Sequence, residues 1–119
     1  MTRQHRTYHW KDGKTLTVGD KTLIMGILNY TPDSFSDGGS WNDVDKALHH
    51  MEDMVAAGAD IIDIGAESSR PGFTPISAEE EISRLEPILR RLVSDCPVPV
   101  SVDTYKAKTA HYAMSCGAH

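Results

Sequence analysis

Three short stretches of this chain carry side chains able to hold ions. Asn29 offers an amide oxygen, and Asp37 and Asp103 offer carboxylates. A few hard oxygen donors suit Mg²⁺, which keeps several waters and takes further oxygens from a substrate phosphate. Glu67, Ser68, Ser69 and Arg70 are consecutive. Ser69 supplies a hydroxyl, and Arg70 a planar fork of donors matched to phosphate or carboxylate. Two anion-friendly groups beside a metal position point to a phosphorylated substrate. Asp103 has a second chemistry open to it, accepting hydrogen bonds from the ring N–H and amino groups of a heterocycle. Residue type alone leaves both roles standing.

Each residue also has a plainer role. Asn29 before a loop is by default a turn or cap residue, and Asp37 before two glycines a turn residue. Asp103-Thr104 is by default the N-cap of a following helix. Arg70 before Pro71 is by default a solvated loop residue, and Glu67 a carboxylate satisfying backbone donors. Phe35 is odder, because an aromatic ring in a polar loop needs a partner, either a ligand ring or another loop. His49 and His50 are helix neighbours pointing about 100° apart, so they do not share a metal. Met51 and Met54 are packing residues.

What matters is whether the elements bring these residues to one place. Residues 22–28 form a nearly continuous apolar run, the pattern of a strand buried on both faces. The polar stretch 29–39 follows. Val44, Ala47, Leu48, Met51, Met54 and Val55 then recur at helical spacing, with Asn42 as N-cap and Gly58 as stop. The plan repeats with a strand over 59–65, a polar loop over 66–75, and a helix opened by a Ser77/Glu80 capping box. Its apolar stripe is Ile82, Leu85, Ile88, Leu89, Leu92 and Val93, interrupted by Pro87, which predicts a kink or a loosened turn. A third pass gives a strand over 98–102 and a helix over 106–116 closed by Gly117. Ahead of all this, alternating residues around Asp12-Gly13 predict a two-stranded hairpin over 7–18.

Strands alternating with helices imply an α/β fold with a parallel sheet. Eight units of about 30 residues would close a TIM (β/α)8 barrel of about 250 residues. This chain of 119 residues supplies the first three βα units, preceded by the hairpin. Sites in such folds lie at the carboxyl ends of the strands. Asn29, the 67–70 cluster and Asp103 should therefore share one rim.

Composition narrows the partners. Twelve Lys+Arg against 17 Asp+Glu give a net charge of −5 without a basic block, which argues against nucleic acid or an anionic membrane. No apolar run is long enough for a membrane span. The first 20 residues carry no secretory h-region. Cys96 and Cys116 have no metal spacing and read as free thiols of the cytoplasm. Neither a G-x-G-x-x-G nor a P-loop pattern occurs.

The loop residues add a resemblance. The stretch MGILNYTPDSFSDGG over 25–39 closely resembles the first signature of the dihydropteroate synthases. GADIIDIGAESSRPG over 58–72 resembles the second, and SVDTYK over 101–106 the segment at the third strand. Two departures stand out. Tyr30 replaces the usual valine, and Ala66-Glu-Ser-Ser69 replaces Gly-Glu-Ser-Thr. Ser69 keeps the hydroxyl, while Ala66 adds a methyl at a strand end.

The resemblance implies a pterin-binding (β/α)8 barrel that joins 6-hydroxymethyl-7,8-dihydropterin diphosphate to 4-aminobenzoate, giving dihydropteroate and diphosphate for folate synthesis. It implies Mg²⁺ at Asn29, with Asp37 and Asp103 nearby. It places Ser69 against the diphosphate and Asp103 against the pterin, with Phe35, Arg70 and Pro71 building the aminobenzoate pocket. It also implies a homodimer of the full-length protein. Other readings are a methyltransferase barrel acting on methyltetrahydrofolate, or a non-catalytic truncated or split-barrel fragment. The family's barrel continues past His119, with a further acidic pterin contact, a lysine and an Arg-x-His site. The expectation is that residues 1–119 are the N-terminal portion of the domain, inactive or nearly so alone.

Overall fold

The computed structural model describes residues 5–19, 21–30, 41–66 and 76–119, with backbone only for 41–43. Two antiparallel strands come first, β1 (Arg6–His9) and β2 (Thr15–Val18), with Arg6 opposite Val18 and His9 opposite Thr15. The predicted hairpin is present, but its loop is longer than a two-residue Asp-Gly turn. Trp10 N donates to Lys14 O and Gly13 N to Trp10 O, each at 3.0 Å. Gly13, at φ 90°, takes the left-handed position of a three-residue loop with a glycine bulge.

The remaining strands, β3 (Met25–Asn29), β4 (Ile61–Gly65) and β5 (Val100–Val102), form one parallel sheet in the order β3-β4-β5. Helix α1 (Trp41–Ala56) lies between β3 and β4 in the chain. Helices α2 (Ala78–Leu85) and α3 (Leu89–Asp95) lie between β4 and β5, and α4 (Ala107–Ser115) follows β5.

The sheet has two unlike faces. Leu28, Ile62, Ile64 and Val100 point one way and are buried against Ala47, Leu48 and Met51 of α1 and Leu85, Leu89 and Leu92 of α2 and α3. The other face carries Met25 and Ile27, about half exposed at 49% and 50%, together with Asp63, Gly65, Ser101 and Asp103. Continuous apolar letters predict a strand covered on both sides. Among the described residues, only the helix side is covered.

Local signals explain most helix ends. Ser77 accepts from Glu80 N at 3.1 Å, half of the expected capping box. Gly58 and Gly117 sit at φ 112° and 98°, so each ends its helix in a backbone conformation natural to glycine. Pro87 does more than kink the helix, because residues 86–88 separate α2 from α3. Two cap expectations need correction. Asn42 lies inside α1, which begins at Trp41, and the N-cap of α4 is Lys106 rather than Asp103-Thr104. The Thr104 hydroxyl does accept from Lys106 N at 3.1 Å, a turn just ahead of the helix. Both cysteines are free and buried.

The hairpin attaches at the start of β5. Val100 N donates to His119 Nδ1 at 2.9 Å, so the other ring nitrogen carries the proton toward Asp12 Oδ2 at 2.6 Å. The Trp10 ring meets His119 edge-on at 5.1 Å, and Lys14 Nζ donates to Val93 O.

Candidate functional site

The polar residues gather at the opposite end, where the strands finish. The register pairs Asn29 with Gly65 and Ile64 with Val102, which sets Asp103 beside Gly65. Asp103 N donates to Ile64 O and Tyr30 N to Gly65 O, both at 2.8 Å, so the sheet extends one residue past each strand. Two strand spacings of about 4.8 Å put Asn29 and Asp103 about 10 Å apart across Gly65. A Cβ at Gly65 would lie 3.6 Å from Asp103 Cβ and Oδ2, so this buried glycine stands directly against the carboxylate, between Asp103 and Asn29. Both flanking residues are exposed.

Of the expected site residues, Asn29 and Asp103 are therefore neighbours on one rim. Phe35, Asp37, Ser69, Arg70 and Pro71 lie outside the described residues. Among those described, no group of three or more His, Cys, Asp or Glu could hold a metal. Tyr30 and Ala66, the two departures, are both buried in the core, and the Ala66 carbonyl accepts from Arg84 Nη1 at 2.9 Å.

One carboxylate escaped the reading of the sequence. Asp63 lies one turn of the pleat below Gly65, and its Oδ1 accepts from Ser101 Oγ at 2.6 Å. Burial pushes the Asp63 carboxyl up, the Ser101 hydroxyl pulls it back, and the charge of Asp103 adds to the rise. Its signal was present in the letters. On β4 an acid two residues before a glycine repeats the parity of Ser101 and Asp103 on β5, which a period-two count places on one face. The combined surface holds one amide and two carboxylates, acceptors suited to a hard cation or to the N–H groups of a heterocycle.

Comparison with known proteins decides the family. The family described as "Pterin binding enzyme" matches residues 25–119. The chain belongs to the pterin-binding enzyme family. The dihydropteroate synthase of Clostridium beijerinckii is 56% identical over 106 residues, covering 89% of this chain. The chain spans 39% of that relative's length. Two solved structures are similar in shape as well. The dihydropteroate synthase of Clostridium difficile, solved in the presence of pteroic acid, gives a TM-score of 0.80 at 51% identity. That match covers 84% of this chain and 38% of the other. The Xanthomonas albilineans dihydropteroate synthase with 4-aminobenzoic acid gives 0.80 at 46% identity, over 90% of this chain and 39% of the other. The observed α/β sheet and helices thus belong to a fold seen in pterin-binding synthases. No helix among the described residues is long and apolar enough to cross a membrane.

Proposed function

We propose that the protein carrying this chain is a dihydropteroate synthase. The observation that carries the reading is that Asn29 and Asp103 stand exposed on either side of Gly65, at the carboxyl ends of three adjacent parallel strands. The relatives' names supply the reaction class. The amine of 4-aminobenzoate bonds to the pterin methylene, the C–O bond to diphosphate breaks, and the amine loses a proton.

In this reading the three strands are the first three of a (β/α)8 barrel. The half-exposed Met25 and Ile27 support it, since a barrel would cover the face they occupy. Asp103 would accept hydrogen bonds from the pterin ring or help hold magnesium, and Asn29 would supply a further oxygen to the cation. The amide oxygen of Asn29 and the carboxylate of Asp103 fit Mg²⁺, which takes one or two protein oxygens and completes its shell with waters and substrate phosphate. Bound magnesium would supply positive charge against the departing diphosphate. Ser69 would meet the diphosphate, Asp37 would serve the metal, and Phe35, Arg70 and Pro71 would serve the aminobenzoate. The buried free thiols of Cys96 and Cys116 agree with a reducing cytoplasm. Dimerisation of the full-length protein belongs to the same reading.

The test is a fusion. The chain is joined in frame to the portion of the Clostridium beijerinckii enzyme that follows its matched segment. With both substrates and Mg²⁺, this chimera should release dihydropteroate, and Asp103→Asn should weaken binding of the pterin diphosphate at least tenfold. A cooperatively folded chimera that does not bind the pterin diphosphate would defeat the reading.

A further inference from the structure

We propose that Glu81 of α2 is a positioning residue for the rim, holding the turn that follows Asp103 at a fixed height. The inference rests on the reading that Asp103 meets the pterin.

Glu81 is 1% exposed, an unusual place for a carboxylate. Its Oε1 accepts from Thr104 Oγ1 at 2.8 Å, and Lys106 Nζ stands 3.8 Å away. The same Thr104 hydroxyl accepts from Lys106 N, and Lys106 Nζ lies 4.3 Å from the centre of the Tyr105 ring. Thr104 and Lys106 thus meet at one buried oxygen, while the exposed Tyr105 ring rests against Lys106. Asp103 sits between two restraints, with its own N–H on Ile64 O in the sheet and its neighbour tied to α2.

One turn along the same helix face, Arg84 Nη1 donates to the carbonyl of Ala66, the residue that follows β4. Its Nη2 is braced by Glu80 Oε1 at 3.2 Å. A single helix therefore grips the carboxyl ends of two adjacent strands. Fold stability alone does not account for this. A buried ion pair adds little net stability, and apolar residues of similar volume often serve as well. What a charged grip supplies is fixed geometry, and a displacement of about 1 Å at a reacting site can cost about 100-fold in rate.

The experiment uses the chimera, with Glu81→Ala, the milder Glu81→Gln, Thr104→Val, Thr104→Ser and the Glu81→Ala/Thr104→Val pair. Each is assayed for kcat, for KM of both substrates and for Tm. Thr104→Val and Glu81→Ala should each raise KM for the pterin diphosphate about tenfold, leaving KM for 4-aminobenzoate within about twofold. The double variant should be no worse than the worse single, because both remove one contact. Glu81→Gln should be intermediate, since its carbonyl still accepts from Thr104. Thr104→Ser should restore the parent value to within about twofold. Variants that lose Tm but keep the pterin KM would make Glu81 merely structural and overturn the proposal. So would a double variant whose losses multiply. If the unsubstituted chimera folds but does not bind the pterin diphosphate, the proposed function has failed, and positioning is read from amide hydrogen exchange instead. Exchange at 104–107 should then speed up in Glu81→Ala and Thr104→Val while the β5 amides hold, and no change would overturn it.

Discussion

Gly65 and Gly26 form a matched pair that separates binding from stability. Gly65 lies against Asp103 on the rim, and its φ lies outside the left-handed region, so alanine fits its backbone without strain. The added methyl would sit 3.6 Å from Asp103 Cβ and Oδ2 and 3.8 Å from Asp103 O, all ordinary contacts. Replacing a strand glycine also recovers about 0.5–1 kcal/mol of unfolded-chain entropy. Gly65→Ala should therefore leave stability within about 1 kcal/mol of the parent. The same methyl shields one side of the Asp103 carboxylate. Losing one hydrogen bond to a charged group costs about 1.5–3 kcal/mol, which is about 10- to 150-fold in affinity. Gly26, one strand away, points to the helix side. A Cβ there would come 2.9 Å from Met54 Sδ and 3.0 Å from Ile62 Cδ1. Gly26→Ala should cost about 1–3 kcal/mol through overpacking, partly offset by the same entropy term of about 0.5–1 kcal/mol, and leave affinity alone. In the chimera, calorimetric titration with the pterin diphosphate and Mg²⁺ gives affinity, and urea unfolding gives stability. Undiminished affinity in Gly65→Ala would refute the rim beside Asp103 as the site. A Gly65→Ala variant that fails to fold would refute the packing on which the reasoning stands.

Three further outcomes are expected in the same chimera. Thr109 Oγ1 is buried with no hydrogen-bond partner among the described residues, so Thr109→Val should raise unfolding free energy by about 1 kcal/mol in urea titrations. Asp60 is held below its ordinary value of 3.8 by the Ile24 backbone N–H and by Lys21. Its contribution to stability is present above pH 3.8 and lost as pH falls through the lower folded value, so the gap between parent and Asp60→Asn should close in acid. Asp63 runs the other way. Its folded value lies above 3.8, so the charged form costs stability at neutral pH. Asp63→Asn should match or exceed the parent there, and the parent should gain on it as pH drops through the raised value; paired unfolding curves across that range test the sign.

Much of the fold was legible because its signals are local. The Ser77 cap, the Gly58 and Gly117 stops, the break at Pro87 and the helical spacing of Val44, Ala47, Leu48 and Met51 each depend on a few consecutive residues. Strand ends were less legible. Residues 22–24 look like strand, yet β3 begins at Met25. The Ile24 carbonyl is taken by both Asp60 N and Ile61 N, an arrangement set by the partner strand rather than by the run itself. Asn29 and Asp103 were found because strand polarity alone brings them to one edge. Glu81 and Asp63 were missed for the converse reason. Their partners, Thr104 and Ser101, lie 23 and 38 residues away, and no spacing rule announces a hydroxyl at that distance.

The attachment of the hairpin gives the molecule an anchored floor as well as a working mouth. His119, Asp12 and Trp10 meet at Val100, whereas Asp103 opens the rim, and at about 3.3 Å per residue those levels are about 10 Å apart on one strand. Damage should consequently sort by altitude: substitutions near Val100 loosen the scaffold, substitutions near Asp103 alter chemistry, and a label on the amino-terminal hairpin stays clear of whatever enters from above.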